Sequence, residues 1–215
     1  MGLESLYDLL LDELRDLYHA ELQIAKTLPR LGKAARTPAL RDALRHHLEE
    51  TEQQIVRLEE VFNLLGVRGT GRKSRAMLGL LDEAIDLIAA EGSDVVRDAA
   101  LIAALQRVAH YEMATYGTVI AHARMLGHSP IARLLEQSRD EEQRTNAVLT
   151  RIAEQHVNRM AVDVGRYAER SERLVAPDPR PRPLGHEARQ GEQEVHRPPS
   201  REVAEPTIDR THGSA

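Results

Sequence analysis

Between residues 10 and 31 the apolar side chains keep to one helical seam: Leu10, Leu14, Leu17, Ile24, Leu28 and Leu31. The position that should continue the seam between Leu17 and Ile24 is Glu21. Spacings of three and four put all seven residues on one face of an α-helix. A chain patterned this way must pack long helices seam against seam, and it must accommodate a carboxylate aimed into the packing. An ionised carboxylate buried without a partner costs several kcal/mol or takes up a proton instead.

The helix boundaries are written in the punctuation. A first helix is predicted from about Ser5 to Ala35. Thr37-Pro38 reads as N-cap and first-turn proline of a second helix, which runs to Leu65 and closes on Gly66. The glycine-rich basic loop GVRGTGRKS (66–74) leads to a shorter helix over about 75–90, with Met77, Leu80, Leu81, Ala84, Ile85 and Ile88 on one face. Gly92-Ser93 ends it and opens a third long helix, about Asp94 to Leu126, which stops at Gly127. Ser129-Pro130 repeats the Thr37-Pro38 signal and starts a fourth, reaching about Gln155 and extending toward Val175. Each long helix spans roughly 45 Å at 1.5 Å per residue. Two tight links make antiparallel hairpins, and the long 66–93 connection crosses over. The expected fold is all-α: a ferritin-like four-helix bundle over 1–160, with one crossover connection carrying a short extra helix. Residues 161–175 read as a helical extension or linker. Residues 176–215, rich in proline and charge and poor in large apolar groups, read as a disordered tail.

The hairpins repeat. His19-Ala20-Glu21 answers His110-Tyr111-Glu112, with the glutamates 91 residues apart. A second acidic position follows in each: Glu50 lies 29 residues after Glu21, and Glu141 and Glu142 lie 29 and 30 after Glu112. Glu112 sits mid-seam among Ile102, Leu105, Ala109, Tyr116, Val119, Ala123 and Leu126. Glu142 does the same among Ile131, Leu135, Ser138, Thr145, Leu149 and Ile152. In the second helix the seam reads Leu44, Leu48, Thr51, Ile55, Leu58, Phe62 and Leu65, which leaves Glu50 on a flank with His47 and Gln54. A pseudo-two-fold axis relating the hairpins would bring groups of equal height together.

One glutamate on a seam is ordinarily a boundary residue whose stem packs while its head reaches water. Three on a seam and one beside it, at repeat spacing and with few cations to pair them, point to a bound metal. The expected ligands are Glu21, His47, Glu50, Glu112 and Glu142. His47 qualifies because it lies three residues before Glu50, on the same face; a buried hydrogen-bonded histidine is the alternative. Gln54, His110, Tyr116, Glu141 and Thr145 are expected around them as supporting groups or alternative ligands. The competing reading of the same carboxylates is a metal-free core that shares protons. The chain has no cysteine, so carboxylate and imidazole must hold any metal, and one or two ions of iron or manganese suit that donor set.

Composition narrows the partners. The net charge is −5 and spread along the chain, with no clustered basic stripe for nucleic acid. No apolar run approaches the ~18 residues of a membrane span. The N-terminal MGLESLYDLL lacks the pattern of a signal peptide, so the expected location is cytoplasmic.

Three stretches, HLEETEQQIVRLEEVF, VRDAALIAALQRVAHYEMATYGT and AMLGLLDEAIDLI, resemble the YciE/YciF-type ferritin-like stress-response proteins. The most specific part is His110, Tyr111, Glu112, Tyr116 and Gly117, and the resemblance covers about residues 5–160. It implies a rubrerythrin-like bundle, commonly a homodimer, with a dimetal site between the helices and a role in stress. The pattern departs from the Glu-x-x-His pairs usual in di-iron bundles. Three residues after Glu50, Glu141 and Glu142 stand Gln53, Arg144 and Thr145, and the second helix carries the reversed His47-x-x-Glu50. The expected activity is Fe(II) oxidation or peroxide removal, with dioxygen or peroxide as oxidant. The alternative is a non-enzymatic dimeric scaffold with a metal-free polar core.

Overall fold

Ser5 opens the first helix as expected, its hydroxyl accepting the Asp8 N–H at 3.1 Å. The computed structural model describes residues 2–70 and 72–175, with side chains to residue 166; the expected tail, 176–215, lies outside the described residues. Helix α1 spans Leu6–Ala34, α2 Pro38–Leu65, α3 Arg75–Ala89, α4 Asp94–Met125 and α5 Ser129–Ile152. One π-helical turn, Ala153–Val157, then leads into α6, Asn158–Val175. Gly66 and Gly127 stop α2 and α4 in the left-handed region, at φ 68° and 81°, where a side chain would strain the turn.

Two helix starts differ from expectation. Thr37 precedes α2, but its hydroxyl does not cap that helix. It donates to Asp98 Oδ2 at 2.6 Å, and the same carboxylate accepts the N–H groups of Thr37 (2.6 Å) and Arg36 (3.0 Å). A buried carboxylate lent by α4 thus fastens the α1–α2 link. Ser129 is the first residue of α5, not its cap; His128 stands outside, and Pro130 takes a first-turn position where a missing N–H costs nothing. Asp98→Asn would set an amide donor against one of these donors. It is expected to cost about 1–2 kcal/mol in urea unfolding; an unchanged midpoint would show that the link holds without it.

The bundle is all-α and ferritin-like, with one crossover carrying α3; no strand forms among the described residues. α1 packs on α2 and α4, and α5 packs on α4 and α2. Neighbours run antiparallel: the end of α1 meets the start of α4 at Asp98, while Glu50 meets Thr145 and Arg57 meets Ser138. α3 lies against α1 and α4. The loop before it is pinned by polar contacts. Asp16, buried on α1, accepts from Ser74 Oγ (2.8 Å), Arg72 Nε (3.0 Å) and the Tyr111 hydroxyl, and His19 Nδ1 accepts the Ser74 N–H at 3.2 Å. His19 and Tyr111 therefore serve the crossover. Among the described residues no helix is long and apolar enough to cross a membrane.

The core is two apolar blocks. One gathers Ile24, Leu28, Leu31, Leu44, Leu101, Leu105 and Leu149; the other Leu10, Leu14, Leu17, Leu58, Phe62, Val119 and Leu135. Each such side chain contributes roughly 1.5–3 kcal/mol by leaving water. Between the blocks lies a layer of buried polar groups, to which every main helix contributes. The seam of α2 is partly shifted from the expected one: Leu40, Leu44, His47, Thr51, Gln54, Leu58, Val61 and Phe62 are buried, while Leu48 and Ile55 are only half-buried. Leu44, Thr51, Leu58 and Phe62 belong to both stripes. His47 and Gln54 displace their apolar neighbours because α5 presents Glu142 to them.

Candidate metal centre

Glu21 of α1, His47 of α2, Glu112 of α4 and Glu142 of α5 meet in the polar layer, each no more than 1% exposed. His47, Glu112 and Glu142 each bring a potential ligand atom within 4.8 Å of the others. His47 Nε2 lies 3.4 Å from Glu142 Oε2. The Tyr116 hydroxyl donates to Glu21 Oε1 at 2.6 Å, and Gln54 Nε2 donates to Glu142 Oε1 at 2.9 Å. What remains is a set of buried atoms without a hydrogen-bond partner: Glu21 Oε2, both Glu112 carboxylate oxygens, Glu142 Oε2 and both His47 ring nitrogens. Buried polar atoms are nearly always satisfied, so this convergence requires an explanation.

The electrostatics follow from burial. Loss of water pushes the Glu21 carboxyl up to about 8, and the Glu142 charge adds to the rise against the Tyr116 bond and the nearby His47. Burial, then Glu142 and Glu21, hold Glu112 well above the carboxylate range. Burial would depress His47, but the charges of Glu142, Glu21 and Glu50 outweigh it and raise the imidazole. Glu142 goes the other way: burial is overcome by His47, Gln54 and Glu112, and its carboxyl is lowered. Metal-free, the layer holds protons on Glu21 and Glu112 beside an ion pair of Glu142 and His47. A divalent cation could replace those protons, and carboxylate oxygens with one imidazole suit Fe(II) or Mn(II). The residues fit the metal that the fold implies.

The other expected residues are placed differently. Glu50 stands at the wall between α2 and α5, 14% exposed, accepting from Thr145 Oγ1 at 3.0 Å. Glu141, also 14% exposed, is held by Arg57 through two contacts of 2.5 and 2.8 Å and by Gln54 at 3.2 Å. The 91-residue repeat thus matches Glu50 with Glu141 in exposure, and the mate of Glu142 is the buried Thr51. His110 is exposed, its Nδ1 2.7 Å from the Gln106 carbonyl of its own helix, and lies outside the cluster. Arg57 was not anticipated. The signal was its spacing of three from Gln54, which put both on the face toward α5.

The family described as "Domain of unknown function (DUF892)" matches residues 5–162. The Escherichia coli K12 protein YciF is 39% identical over 162 residues, covering 75% of this chain and 98% of that protein. The crystal structure of the E. coli stress protein YciF superposes with a TM-score of 0.70 over 72% of this chain and 98% of its own. YcfI from Rhodopseudomonas palustris, 43% identical, superposes with a TM-score of 0.68 over 69% of this chain and 95% of its own.

Proposed function

This chain belongs to the DUF892 family, and from that premise we propose that it is a metal-binding stress-response protein, a cytoplasmic homodimer that oxidises Fe(II) or removes peroxide. Glu21, His47, Glu112 and Glu142 would hold one or two ions of iron or manganese. One observation carries the reading: buried atoms of His47, Glu112 and Glu142, from three helices, lie within 4.8 Å of one another, and they and Glu21 Oε2 include atoms with no hydrogen-bond partner. The bound ions would supply a redox couple and Lewis acidity toward dioxygen or peroxide. The chain's residues supply the rest. Tyr116 fixes Glu21 through its hydroxyl, and Gln54 fixes Glu142. Glu21 and Glu112 give up protons as they become ligands. The leucine blocks above and below exclude water from the layer. The rival assignment, a scaffold with a metal-free polar core, rests on the same Tyr116 and Gln54 hydrogen bonds.

Metal analysis separates the two. Protein produced in iron- and manganese-supplied medium is expected to carry stoichiometric metal, and a Glu21→Ala/Glu112→Ala double variant to lose it. Equal metal in both proteins would overturn this ligand set. A metal-free wild type would establish the scaffold reading.

A further inference from the structure

The four buried ligands are sealed by their helices, so a route to them must exist elsewhere in the wall. Glu50 marks one. Its carboxylate sits between Thr145 Oγ1 at 3.0 Å and His46 Nε2 at 3.4 Å, at a cavity of about 170 Å³ lined by Ala43, His46, Glu50, Arg144, Thr145 and Val148. Thr145 follows Glu142 by three residues and Glu50 follows His47 by three, so each is one helical turn from a buried ligand. The cavity stops short of the buried cluster, and its lining residues His46 and Thr145 are the chain neighbours, at one and three residues, of His47 and Glu142.

A hydrated divalent cation does not pass a leucine wall, because shedding water without replacement ligands is prohibitive. It needs one group at the mouth that exchanges for water and a second set behind that takes over. Glu50 is partly wet, and its contacts are one hydroxyl, Thr145 Oγ1, and the exposed His46 ring, so it can turn. Behind it, Glu142 Oε2 and the His47 nitrogens have no hydrogen-bond partner. Its repeat mate cannot do the same: Arg57 clamps Glu141 and reaches Ser138 at 2.6 Å, closing that part of the wall.

We propose that Glu50, with His46 at the rim, is the intake group of the metal centre, receiving a divalent cation from solvent and passing it between α2 and α5 to His47 and Glu142. The inference rests on the metal-binding reading above. Arg144, exposed on the same rim, opposes the approach of a cation.

The test mixes metal-free full-length protein with Co(II) in a stopped-flow spectrometer and measures the bound ion again at equilibrium. Glu50→Gln is expected to slow uptake about tenfold or more while the final stoichiometry holds, because charge at a cleft mouth governs on-rates on that scale. His46→Ala is expected to slow it a few-fold and Arg144→Ala to speed it a few-fold. Both sit at exposed positions, so they test the route even if Glu50→Gln folds poorly. Wild-type uptake rates in all three variants would overturn the proposal. Loss of bound Co(II) from Glu50→Gln at equilibrium would also overturn it, by making Glu50 a permanent ligand. A wild type that binds no Co(II) would remove the metal-binding reading first.

Discussion

Metal-free Glu112→Met protein is expected to melt about 5–10 °C above metal-free wild type, from a gain of about 2–3 kcal/mol at roughly 2–4 °C per kcal/mol. Glu112 is wholly buried, and neither of its oxygens has a hydrogen-bond partner. Leaving a buried polar group unsatisfied costs about 1–3 kcal/mol. Glu21 and Glu142 lie close enough to hold its carboxyl well above the ordinary range, after burial itself. Methionine has nearly the same length and no formal charge, and it adapts to irregular gaps. The substitution therefore removes two buried oxygens that lack well-formed hydrogen bonds while keeping the volume. Function reverses the comparison. Saturating Mn(II) at a hundred times its dissociation constant stabilises a binder by about 2.7 kcal/mol, and the variant should not respond. Thermal melts in chelator and in Mn(II) read both effects. A variant less stable than wild type in chelator would mean that the Glu112 carboxyl holds the core together, and the metal-free network would be the better account.

Much of this site was legible because leucine spacing leaves little freedom. Once Leu17 and Ile24 face inward, Glu21 must follow; the repeat carries the same conclusion to Glu112, and Glu142 follows from its own seam of Leu135, Ser138, Thr145 and Leu149. The second helix was harder. Leu44, Thr51 and Leu58 fit a stripe through Leu48 and Ile55 as well as one through His47 and Gln54. The choice is made by Glu142, which lies 88 residues beyond Gln54 in sequence. Adjacent Glu141 and Glu142 also look alike on paper. They differ in space because Arg57 reaches Glu141 at the wall while Glu142 turns inward. Asp98 was invisible for a similar reason: its partners are the backbone N–H groups of a link 61 and 62 residues earlier, and backbone donors leave no mark in a sequence. Local periodicity specified the helices and most seams; long-range pairing decided which of two adjacent residues entered the centre.

The metal-free protein is also expected to lose about 5–10 °C of melting temperature between pH 5.5 and pH 8. Glu21 is held at about 8 in the folded chain by burial and by Glu142, against Tyr116, His47 and Glu112. In the unfolded chain it titrates near the ordinary glutamate value of roughly 4.3. Across the interval the unfolded state has released this proton and the folded state has kept it, so stability falls as pH rises. Glu112 is raised by burial, Glu142 and Glu21, and has the same sign. His47 is raised as well, since Glu142, Glu21 and Glu50 outweigh its burial. Its contribution is fully present below the ordinary histidine value, roughly 6.5, and is lost as pH climbs through the folded value. Glu142 opposes them only in acid: its lowered carboxyl adds stability above the ordinary carboxylate range that disappears below it. Stability should therefore peak near pH 5 by the linkage of these groups, with a drop toward pH 8 of about 2–4 kcal/mol. Calorimetry in chelator at pH 5.5, 7 and 8 measures the slope, and Glu21→Gln should flatten it. Mn(II) at pH 8 should restore the lost stability, because the cation takes the place of the protons that Glu21 and Glu112 otherwise hold. A melting temperature that stays level or rises over this interval would mean that these carboxyls ionise freely in the folded chain, and a centre that attracts a cation by the cost of its own buried charge could not then be built from them.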